Sequence, residues 1–137
     1  MVVLMAVGEF TPATVRLVFF DRDRERCFRC LRPLQWHERG FGWSLHHRRP
    51  RGMGGSKDPM VNSPANALTL CGHATSPTGC HHWAEKNRDV AFELGYLIPG
   101  TARTDEYRPE RVRVRRLSGG WWLLTVDGRA VEVEGNS

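Results

Sequence analysis

Apolar and polar positions along this chain repeat over short stretches, and each stretch predicts a short element. Thr11-Pro12 reads as an N-cap followed by proline in the first turn. Val15, Leu17, Val18 and Phe19 then supply an apolar face before the charged run Asp21 to Arg26, which predicts a helix over about 12–22. Phe41, Trp43 and Leu45 alternate as in a half-buried strand over 41–47, and this places His46 and His47 on opposite faces. Residues 48–64 are rich in Gly, Pro, Ser and Asn with no sustained period, so they read as one long loop. A short strand follows over 67–70, ending at Cys71, and 72–79 is a turn-rich excursion. Trp83, Ala84, Val90, Ala91 and Leu94 sit near helical spacing and Gly95 supplies a stop, which predicts one helix over 80–94. Residues 96–111 carry two prolines, mixed charges and no period, and read as a surface connection. Val112 to Arg115 alternates, Trp121 to Val126 is apolar, Asp127-Gly128 is a hairpin turn signal, and Ala130 to Glu134 alternates again. A small antiparallel sheet is expected there.

These elements predict an α+β fold in a single domain over 1–137, with its core in 11–95 and a C-terminal β-hairpin extension over 111–134. A chain of 137 residues is too short for two independent cores to offset the entropy of ordering the backbone. With 14 Gly and 8 Pro the supply of apolar residues is modest, so a further staple would help to hold the fold.

Charge narrows the partners. The formal net charge of +5 favours an acidic polymer, because clustered Arg and Lys release counterions from a phosphate backbone, although a solvated basic face has the same composition. The apolar run Val2 to Val7 has no basic flank and is far shorter than the roughly 20 residues of a membrane span, so neither a signal peptide nor a membrane segment is read. A reducing cytoplasm is the expected setting, in which four cysteines are metal ligands more readily than two disulfides.

Cys27 and Cys30 have the C-x-x-C spacing that lets two thiolates reach one tetrahedral ion. Cys71 and Cys80 supply the second pair if Gly72, Pro77 and Gly79 fold the intervening loop back. Four thiolates close a zinc site to water, so this would be a structural staple. Four free cysteines are the bland alternative. A redox C-x-x-C fits poorly, because a helix ends just before Cys27 where the redox motif would start one.

The ordered set Cys27-x-x-Cys30, His46-His47, Asn66, Cys71 and Cys80-His81 resembles the HNH nucleases, the ββα-metal or His-Me finger family, over about 11–95. The resemblance implies that His46 and His81 bind a catalytic divalent cation, that His47 is the general base activating water, and that Asn66 positions the loop and the base. Glu85, four residues after His81 on the same helical face, would complete the coordination where many relatives carry His or Asn. Mg²⁺ or Mn²⁺ suits an oxygen-rich substrate, while two imidazoles also accommodate Ni²⁺ or Zn²⁺. Arg48, Arg49, Arg51 and Lys57 flank the histidines and are expected to hold DNA phosphates, a solvated basic loop being the competing reading. His37, His73 and His82 receive no role. With no base-reading helix in view, the expected partner is double-stranded DNA bound with low sequence specificity. The runs Trp43 to Gly55 and Asn62 to Asn66, with Cys80-His81, are also similar to short HNH proteins of phages infecting high-GC actinobacteria, which are often encoded beside terminase genes. That similarity implies phage DNA processing in the host cytoplasm with a large terminase subunit as partner. The rival from another class is a noncatalytic zinc-finger module that binds nucleic acid or protein through the same cysteines and basic loops.

Overall fold

The computed structural model describes residues 9–50, 59–73, 75–100 and 104–134. The run Val2 to Val7 therefore lies outside the described residues, as do Arg51 and Lys57. The fold mixes few, short helices with two small antiparallel sheets. No helix among the described residues is long and apolar enough to cross a membrane.

Helix α1 (Pro12–Arg16) starts as its sequence predicts, with the Thr11 side chain accepting from the Thr14 backbone N–H and proline in the first turn. It does not continue as an α-helix to residue 22. Leu17–Arg22 widens into a π-helical segment, closed by an Asp23 N–H to Val18 carbonyl bond of 2.8 Å. The widening turns Arg22 inward, where it pairs with Asp23 at 2.8 Å and also donates to the carbonyls of Pro64 and Ala67. A buried ion pair thus joins the end of this helix to the second strand.

Strands β1 (Trp43–His47) and β2 (Ala67–Cys71) pair antiparallel, with Trp43 opposite Cys71 and His47 opposite Ala67. Strand β1 is covered on both faces. Phe19 stacks on Trp43 and Phe10 on His47 from the α1 side, while the Ser44 and His46 face meets the helix after β2. Phe41, expected to begin the strand's buried face, lies outside it and is 60% exposed. All of β2 is buried, which explains its unbroken apolar character.

The helix expected over 80–94 is two helices, α2 (Cys80–Lys86) and α3 (Arg88–Glu93). Asn87 breaks it at φ −114°, ψ 55°, its side chain donating to the Trp83 carbonyl. Ala84 and Ala91 remain on the buried side.

Residues 96–111 correct the sequence reading most. Tyr96, Leu97 and Ile98 are buried at 2% exposure or less, and the Ile98 N–H bonds the Arg48 carbonyl. The start of this stretch is core, hidden from pattern reading because Tyr96 to Ile98 bond a distant segment and belong to no helix or strand, while Asp105–Tyr107 and Pro109–Arg111 form single 3-10 turns.

The C-terminal sheet follows the expected order with shorter strands, β3 (Val114–Arg115), β4 (Trp121–Leu124) and β5 (Ala130–Val133). It leans on the cysteine knuckle: Arg116 Nε donates to the Phe28 carbonyl and the Leu117 N–H to the Arg29 carbonyl.

Candidate metal centres and the groove beside them

Two clusters of ligating side chains meet at the start of α2. In the first, the sulfurs of Cys27, Cys30, Cys71 and Cys80 all lie within 4.8 Å of one another. The Cys30–Cys71 separation is 3.9 Å, close to the roughly 3.8 Å edge of a tetrahedron with zinc–sulfur bonds of about 2.3 Å, and far beyond a disulfide length of about 2.05 Å. The donor set and its spacing therefore fit a metal such as zinc. Gly72 and Gly79, at φ +74° and +110°, sit where a Cβ would strike neighbouring atoms, so they allow the 72–79 excursion to bring Cys80 back onto Cys71. Arg29, inside the knuckle, donates to Cys80 Sγ at 3.4 Å and stacks 3.6 Å from the Trp83 ring centre, placing a cation against the thiolates. The sulfurs perturb one another. Hydrogen bonding with Cys30, Cys71 and Cys80 pushes the Cys27 thiol up, and bonding with Cys27 pulls Cys30 down to about 6.

In the second cluster one ligand atom each from His46, His81 and Glu85 lies within 4.8 Å of the others. His46 is buried on the inner face of β1, and the two imidazole centres are 4.8 Å apart. The neighbours fix which nitrogens are free. A carbonyl can only accept, so the 2.7 Å contact of His46 Nε2 with the Tyr96 carbonyl puts the proton on Nε2 and the lone pair on Nδ1. Ser44 Oγ gives its own proton to the Gly72 carbonyl at 2.9 Å. It must therefore accept from His81 Nδ1, leaving the lone pair of His81 on Nε2. Burial pulls both rings well below the usual imidazole range, His46 to about 3 and His81 to about 4, so both are neutral ligands at ordinary pH. Two neutral imidazoles and a carboxylate suit a divalent cation, with coordination positions left over for water or substrate.

His47 lies on the opposite face of β1, its ring stacked at 4.0 Å on Phe10, yet at the strand's end it lines the same groove as His81, Glu85 and Arg88. That groove encloses about 390 Å³. On its other side His47 borders a smaller recess with Arg39. Asn66 is fully buried: its Oδ1 accepts from the Arg49 N–H at 2.8 Å, and its Nδ2 donates to the carbonyls of Arg49 and Val61. It clamps the chain two residues beyond His47 and ties that backbone to Val61.

Arg48 and Arg49 are not the phosphate-facing cations that the sequence suggested. Arg48 is fully buried, and its guanidinium donates to the carbonyls of Gly95, Ala65, Pro109 and Val112. Burial drags its pKa down, and the four carbonyls are what keep a cation tolerable there. Arg49 is 4% exposed, with one guanidinium nitrogen 3.5 Å from the Tyr107 carbonyl. Sequence reasoning also missed the groups that shape the site. Phe10, Ser44, Arg39, Arg88 and the Tyr96 carbonyl were given no role, and only the i,i+3 spacing of Glu85 and Arg88, 3.2 Å apart, could have signalled one of them.

A roomier groove of about 680 Å³, bordered by Leu97, Tyr107 and Trp121, lies beside α3 and is lined by neither histidine nor cysteine, so we place the candidate chemistry at the histidines. No protein-family model, no curated protein and no solved structure matches this chain.

Proposed function

We propose that this chain is a zinc-stapled, metal-dependent nuclease of the HNH type that hydrolyses DNA phosphodiester bonds. The observation that carries the reading is the division of labour at the end of β1. His46 turns inward to meet His81 and Glu85, while His47, one residue later, keeps a half-exposed ring on the groove those residues open into. The order β1, β2, α2, with the histidines on the first strand and at the helix start, supports the ββα-metal finger reading. The four cysteines support a structural Zn²⁺ that holds β2, α2 and the knuckle together.

His46 Nδ1, His81 Nε2 and a Glu85 oxygen would hold one Mg²⁺ or Mn²⁺, with Ni²⁺ or Zn²⁺ as competitors. Such an ion supplies electrostatic stabilisation for charge that develops on the phosphate. The protein supplies the rest. His47, whose ring stacks on Phe10, takes a proton from the attacking water. Arg88 and Arg39, on either side of His47, take the phosphate-binding role that the sequence pattern suggested for Arg48 and Arg49. Asn66 fixes the backbone that aims His47. The similarity to actinobacteriophage proteins makes concatemer processing beside a large terminase the setting in which we would look for this activity.

A plasmid-nicking assay with Mg²⁺ or Mn²⁺ and a chelator control tests the reading. Supercoiled DNA should be relaxed by the native protein, and His47→Ala should slow this by about 10²–10⁴-fold while keeping fold and zinc. Native protein as inert as His47→Ala across several metals would leave only a noncatalytic zinc module.

A further inference from the structure

With Arg22, Arg48 and Arg49 buried and internally bonded, the positive charge available to a partner gathers elsewhere. A cleft of about 450 Å³ between the end of the π-helical segment and the β4–β5 turn is lined by Arg24, Arg26, Arg116 and Arg129. Arg22 and Asp23 also border it, but they neutralise each other through paired contacts of 2.8 and 2.9 Å. Among the described residues, Asp21 is the one other carboxylate on its wall. Asp127 reaches Arg129 from outside at 3.3 Å, with side-chain exposures of 62% and 72%, a pair that solvent screens and a stronger anion would displace.

The cleft is more rigid than an ordinary charged face. The Arg116 guanidinium is held between two rings, 4.2 Å from the Phe28 centre and 4.4 Å from that of Trp122, while its Nε donates to the Phe28 carbonyl. Arg24 and Glu25 both adopt left-handed backbone, at φ +57° and +60°, a conformation that is strained for a non-glycine residue. At that reversal Arg24 stands on the cleft wall, three residues before Cys27 of the sulfur cluster. Strain kept at a cation cluster is a reason to ask what the cluster binds.

We propose that this arginine cleft is a second DNA contact, seating a backbone phosphate away from the histidine groove. The proposal rests on the DNA reading above. A phosphodiester backbone needs only cations with forked donors. An acidic protein segment would also want an apolar anchor pocket, and here Leu31, Trp122 and Ala130 are the only larger apolar surfaces that the described residues put on the wall.

The test uses full-length zinc-loaded protein carrying His47→Ala, so that DNA is not cut, and a fluorescein-labelled 20-base-pair duplex read by anisotropy between 50 and 200 mM salt. Adding Arg24→Gln and Arg129→Gln should weaken binding about tenfold and lower the slope of log Kd against log salt by about 0.9 for each phosphate no longer neutralised. Zinc content and circular dichroism should not move. Arg108→Gln with Arg111→Gln removes the same charge elsewhere and should cost much less. An unchanged slope, or an equal weakening in that control pair, overturns the proposal. So does loss of poly-glutamate binding with DNA binding intact, which would assign the cleft to an acidic protein. Failure of the nuclease reading looks different: the native protein would not nick plasmid, yet the cleft-dependent salt slope would persist.

Discussion

The sulfur cluster and the histidine cluster share neighbouring residues, Cys80 and His81, on the first turn of α2, yet they face different tasks. Cys27, Cys71 and Cys80 are buried at 4% exposure or less, and four sulfurs would complete the tetrahedral shell of a metal such as zinc. The second cluster has three ligating side chains, two of them half-exposed, beside an open groove. Donor number and access to water, more than ligand identity, distinguish a cluster suited to a closed structural ion from one that leaves positions open to water. The two clusters are also coupled, because the same turn of helix that delivers Cys80 to the sulfurs delivers His81 to His46.

The sharpest way to break this contrast is Cys27→Ser. A structural zinc site is worth about 10–16 kcal/mol, as much as the whole stability of a small domain of about 5–15 kcal/mol. The variant should therefore lose both zinc and its folded circular dichroism spectrum, and a chelator should unfold the native protein. A folded, zinc-free Cys27→Ser protein would remove the structural role.

Next in size is a change touching neither cluster. Arg48→Met removes the donors for four interior carbonyls and should cost about 3 kcal/mol or more, lowering Tm by about 10 °C. DNA affinity of the folded fraction should be unaltered, and a folded variant of native stability that binds DNA weakly would restore Arg48 to the surface role.

Ser44→Ala probes the open cluster alone. With the His81 tautomer no longer fixed, Mn²⁺ binding measured by calorimetry should weaken about 10–100-fold. Zinc content should hold and Ser44→Thr should recover most of the affinity. Native affinity in Ser44→Ala would show that the hydroxyl positions nothing.

The smallest effect is a near-absence of pH dependence. Burial disfavours the charged imidazole and sets His46 near 3 and His81 near 4, so between pH 7.5 and 6 neither ring takes up a competing proton. Mn²⁺ affinity should change less than about twofold over that span, whereas two imidazoles titrating near 6.5 would lose more than about tenfold. A steep loss would mean that the rings are solvated.

Much of this could be read before any tertiary contact was known. The C-x-x-C pair, the period-2 alternation that sends His46 and His47 to opposite faces, the helical spacing of His81 and Glu85 and the Asp127-Gly128 turn are all short-range features. Local backbone geometry dictates such features wherever the segment packs. Other features depended on what met what. The burial of Arg48 among carbonyls 17 to 64 residues away, the Tyr96 carbonyl on His46 across 50 residues and the break at Asn87 have no local signature, and Gly72, Pro77 and Gly79 marked the fold-back of Cys80 only as a condition. A side chain's role as ligand, surface cation or interior donor is set by desolvation and by the partners that burial supplies. The chain therefore names its reactive groups in one dimension, and only packing decides which of them face water, which face each other and which are consumed in holding the fold.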